Sequence, residues 1–144
     1  MDYKRIALTA VVTWVVDSIF GTVVFMGLLG ADMAQNPALF RPEAQMYGLL
    51  PLMFAGTLVA FFALAYIYAK GYEGGSGLVE GFRFGVLLAI FITGFMSIGI
   101  FATFNVGSGL AVKASIATIV EMLLDGTVMG LVYRGAPVRA VAHV

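Results

Sequence analysis

Four long apolar runs, at 6–30, 48–69, 78–104 and 110–133, alternate with short stretches of polar, glycine and proline residues. Each run reaches the roughly 20 residues that a helix needs to cross a hydrocarbon core. They are too continuously apolar for barrel strands, which alternate, and lipid offers no partner to open backbone groups. The pattern predicts an all-α protein, an integral membrane four-helix bundle with one membrane domain over residues 1–144.

The connections support that division. "ADMAQNPALFRPEAQMYG" is the longest, and Asn36-Pro37 and Arg41-Pro42 mark turns because a residue before proline is pushed out of the helical region. Pro42 is suited to open the second helix as its first residue. "GYEGGSG" is a flexible link without the Lys-Ser/Thr ending of a phosphate loop, and "VGSG" at 106–109 makes a tight turn.

Charge sets the expected orientation. Lys4, Arg5, Lys70, Arg83, Arg134 and Arg139 fall on one side of the array, and Arg41 and Lys113 on the other. By the positive-inside rule both the N- and C-termini are cytoplasmic, and the bias argues against a protein that inserts both ways. The first run exceeds the roughly 7–15 apolar residues of a signal-peptide core, so it is expected to remain as a helix.

Composition narrows the class further. Hydrophobic residues make up 61% and charged residues 11%, against about 25% charged in soluble domains. Eight basic residues balance eight acidic ones, which removes any argument for nucleic acid as a partner. With no cysteine, and with His143 as the one histidine, at the chain end, neither a thiolate metal site nor a Ser-His-acid triad is available. No cofactor and no metal are expected.

Several stretches, "RPEAQM", "YIYAKGYEG", "EGFRFG" and "LAVK…VE…G…G…VYR", resemble a family of small uncharacterised bacterial inner-membrane proteins with four helices. The likeness covers most of the chain. It implies the fold and the bacterial inner (cytoplasmic) membrane as location, and it transfers no catalytic or binding residue.

Ionisable residues inside apolar runs are the candidate chemistry, because each is expensive in lipid. Asp17 and Glu121 both fall near the middle of their runs, and Asp125 lies one turn from Glu121. Each sits on a stripe of small or polar residues: Ala10, Thr13, Asp17 and Gly21; Ala114, Ala117, Thr118, Glu121 and Asp125; and, in the third run, Arg83, Gly94, Ser97 and Asn105. The three stripes are expected to face one another inside the bundle, with Lys113 at the outer end and Glu80 with Arg83 at the inner end. Two uses compete. The groups either fix helix register through hydrogen bonds and ion pairs, Arg83 reaching Asp125, or form a proton or cation site around Asp17 and Glu121.

A second pattern concerns partners. Gly81 and Gly85, and Gly126 and Gly130, have small-xxx-small spacing, and on a helical wheel each pair lies opposite its helix's polar stripe. These seams are expected to point outward, toward lipid or another transmembrane subunit, including a second copy. The phenylalanines of the third run are expected to be lipid-facing bulk.

Three functions follow in order of expectation. The first is a non-enzymatic accessory or structural subunit of a larger membrane complex or homo-oligomer. The second is a small proton- or cation-coupled transporter or channel using the mid-membrane carboxylates. The third is a membrane enzyme acting on a lipid or isoprenoid.

Overall fold

The computed structural model describes residues 2–133, all of whose regular elements are helical. Arg134, Arg139 and His143 lie outside the described residues. The elements are α1 (Tyr3–Gly21), α2 (Gly30–Ala34), α3 (Glu43–Gly71), α4 (Gly77–Ile92), α5 (Ile98–Thr103) and α6 (Ser108–Val132). A π-helical segment, Thr22–Leu28, extends α1, and another, Thr93–Ser97, joins α4 to α5. Four long helices result, Tyr3–Leu28, Ala44–Gly71, Gly77–Thr103 and Ser108–Val132, each long and apolar enough to cross a membrane.

Local chemistry sets their limits. Asp2 caps α1 by accepting from the amides of Lys4 and Arg5, and its other oxygen pairs with Arg5 Nε at 3.1 Å. Pro42, extended at ψ 142°, stands just before α3, one position earlier than expected. The link between the second and third helices is closed by Glu80, whose carboxylate accepts from the amides of Glu73 and Gly75. Gly74 allows that closure, since its φ of 86° lies in the left-handed region.

The second long helix packs on the first, the first on the fourth and the fourth on the third. At the end that carries Asp2 and Tyr133, here the near end, the row closes into a bundle. Ile6, Ala10, Phe61, Ala65, Tyr68, Ala69, Met129 and Tyr133 form its core. Tyr68 packs edge-on against Phe84 and Tyr133, with ring centroids 5.3 and 5.9 Å apart. Tyrosines near the ends of the second and fourth helices therefore meet.

The glycine seams do not point outward. Gly81 and Gly85 lie against Gly126 and Gly130, all four buried, so the third and fourth helices touch backbone to backbone. A Cβ on Gly85 would stand 2.7 Å from the Met122 carbonyl oxygen. The reason the expectation failed is rotational. Arg83 is two residues from both Gly81 and Gly85, about 200° around the helix, so seating the glycines inward turns Arg83 out.

Candidate functional site: a buried carboxyl cluster

Antiparallel packing of α1 against α6 brings three acids together. The Glu121 carboxyl reaches across to Gly21, where a Cβ would lie 3.6 Å from its Oε1. The side chain of Asp17 lies beside those of both Glu121 and Asp125 and interacts with each. Asp125 is the deepest: it is 1% exposed, and the side chain it pairs with is another acid, Asp17. Asp17 and Glu121 are half-buried.

Among the described residues no base accompanies them. Arg83, expected to reach Asp125, is exposed, and the ion pairs among the described residues are Arg5 with Asp2 and Lys113 with Asp32. The polar stripe expected on the third helix is not in the cluster, and that helix's buried side-chain oxygen without a partner is Thr93 Oγ1. Arg83, Gly94 and Asn105 are exposed and Ser97 is half-buried, so the polar interior is built by the first and fourth helices. Glu80 closes the near-end link and does not pair with Arg83.

Two further hydroxyls share the α1 face of Asp17. Thr9 and Thr13 are both fully buried, and neither Oγ1 has a hydrogen-bond partner. Other helical hydroxyls bond to the carbonyl four residues back: Thr22 to Ser18 at 2.8 Å, Ser115 to Ala111 at 2.8 Å and Thr127 to Leu123 at 2.7 Å. Thr13 was singled out from its stripe and Thr9 was not. The signal was present in the steps Thr9, Thr13, Asp17 and Gly21, one every fourth residue.

The rest of the site is peripheral. Trp14 Nε1 donates to Thr57 Oγ1 at 3.0 Å and so ties the first helix to the second. Thr118 is half-buried one turn from Glu121. At the far end, Lys113 Nζ pairs with Asp32 at 2.8 Å, which joins α2 to the start of α6. A groove of about 240 Å³, lined by Ser97, Ser108, Ser115, Phe101 and neighbouring apolar residues, opens there between the third and fourth helices. At the near end, burial and the negative charge of Asp2 push the Tyr133 phenol above its ordinary range.

Fold and site together define a four-helix array of membrane-crossing length with a cluster of three carboxyls that no base among the described residues joins. Comparison with known proteins finds no match: no family model, curated protein or solved structure is significantly similar to the chain.

Proposed function

We propose that the protein is a multi-pass protein of a bacterial cytoplasmic membrane, with both termini cytoplasmic, and that it binds and passes protons at Asp17, Glu121 and Asp125. Membrane residence is supported by the four long apolar helices and by the large hydrophobic side chains they leave exposed, among them Leu8, Ile19, Leu52, Phe91 and Phe95.

The observation that carries the function is Asp125. It is a fully buried carboxyl whose polar company is two other acids, and among the described residues no counter-charge reaches it, so its ionised form is costly and a proton held there is shared within the cluster. Two more acids beside it provide places for the proton to go. A register role would be better served by a buried acid paired with a base than by one paired with another acid.

The accessory-subunit expectation depended on glycine seams free to dock a partner. With those seams packed between the third and fourth helices, the carboxyl cluster is the better supported lead. Four helices leave a narrow interior, which suits protons better than larger solutes.

The test is proton flux into liposomes holding the purified protein, driven by an imposed membrane potential. Wild type carries protons, Asp125→Asn stops the flux, and Asp17→Asn or Glu121→Gln lowers it. Absence of flux in wild type, or wild-type flux in all three variants, would sink the proposal.

A further inference from the structure

We propose, building on that reading, that Thr13, Thr9 and Tyr68 form the near-end leg of the proton path, a ladder of hydroxyls linking the carboxyl cluster to the Glu80 side of the bundle. The near half is otherwise closed by apolar packing, and among the described residues these three hydroxyls are its buried side-chain oxygens without a hydrogen-bond partner, apart from the carboxyl cluster itself.

Register places the rungs in order. Gly21 faces Glu121, and Asp17 faces Asp125. Moving four residues down α1 and four onward in α6 sets Thr13 opposite Met129, and a further four sets Thr9 opposite Tyr133. Tyr133 packs on Tyr68, whose hydroxyl lies within electrostatic reach of Glu80. The cluster is faced by Asp17 from α1 and Glu121 from α6. On the near side the second helix presents Tyr68, and the third turns Arg83 outward.

Spacing decides between relay and coordination. Successive rungs on α1 are four residues apart, about 6 Å, so Asp125, Thr13 and Thr9 do not converge on one ion at the roughly 2.3–2.6 Å of oxygen–cation bonds. Among the described residues no group of three or more acids is placed to hold a metal ion either. The same 6 Å is too long for a direct hydrogen bond, and because Thr9 and Thr13 are fully buried, each exchange needs a water to enter between the rungs.

A hydroxyl both accepts and donates, so it passes a proton without a net change. Asp125 gives its proton to the first water as that water's own proton moves to the Thr13 oxygen. Thr13 releases its original hydrogen to the next water, Thr9 and Tyr68 repeat the exchange, and the last proton leaves to solvent on the Glu80 side, while Asp125 is reprotonated from Glu121 or Asp17, which takes its replacement proton from solvent at the far end. Threonines that bonded to their own helix, like Thr22 and Thr127, would be poor rungs, because the donor is already used.

The experiment compares Thr9→Val, Thr13→Val, Tyr68→Phe and Asp125→Asn in the same liposome assay, with the infrared band of the protonated carboxyls and the melting temperature as controls. The two valine variants and Tyr68→Phe are expected to lower flux about tenfold or more with the carboxyl band in place. Melting temperature should hold or rise in the valine variants, since an unbonded buried hydroxyl is removed, and Thr13→Ser should restore flux. Wild-type flux in the Thr9→Val, Thr13→Val double variant, alongside a dead Asp125→Asn, overturns the ladder alone. No flux in wild type, or an active Asp125→Asn, overturns the carboxyl reading and the ladder with it.

Discussion

The two ends of the helix array are built on different principles. In the near half, small residues let helices touch: Gly81, Gly85, Gly126 and Gly130 bring two backbones together, while Ala10, Ala65 and Ala69 make room for Phe61, Tyr68 and Met129. In the far half of the long helices the described residues bury only Ala117, with Leu29 just past the end of the first. Two of the four helices also loosen into π-helical turns there, shown by the Leu29 amide bonding to Val24 at 2.9 Å, five residues back. The carboxyls sit at the boundary, with the tight half below them and the open one above. A site in this position meets solvent more easily from the far end, and on the near side it has only the threonine face and the tyrosines as polar company.

The sharpest way to break the comparison is to add one methyl group at matching places in one helix. Gly81→Ala puts a Cβ into the backbone of Gly126 and Gly130, while Gly94→Ala and Gly99→Ala, in the far half, meet nothing within 4 Å. The first is expected to destabilise by about 3 kcal/mol. The other two should be neutral or stabilising by up to about 1 kcal/mol through helix propensity. Equilibrium unfolding in mixed detergent measures both, and equal effects would mean the third and fourth helices do not meet at the glycines.

A smaller difference is expected from methionines. Met129 is fully buried and Met96 is exposed. Met129→Ala opens a cavity and is expected to destabilise by about 2 kcal/mol, the low end of such substitutions, since in the proposed membrane setting no transfer from water is added. Met96→Ala should leave the unfolding midpoint where it is. The smallest effect belongs to Lys113→Ala. Its ion pair with Asp32 is largely exposed, so its loss should cost under about 1 kcal/mol and should fade in high salt. Repeating the titration at low and high salt checks it.

Much of this was legible along the chain. Apolar run length sets the number of long helices, because a run of that length pays its way only as a helix away from water, and their limits agree to within a few residues except where α3 begins five residues early. Asp17, Glu121 and Asp125 stood out for the same reason, since acids are rare in such runs. The partners of those residues were not legible. Periodicity gives each helix a set of faces, and it does not say which face meets which neighbour.

That choice was made by the tertiary structure. Two helices with glycine seams gain most by meeting at them, since close backbone approach multiplies van der Waals contact. Once the seams meet, Arg83 is carried outward, Asp125 is left without a base, and the fourth helix turns its acids to the first. The ion pair of Asp32 with Lys113, 81 positions apart, and the meeting of Tyr68 with Tyr133 follow from the same docking. The sequence alone determined four apolar helices and the acids within them; which acids are neighbours, and which hydroxyls line the way to them, was decided by how the backbones fit.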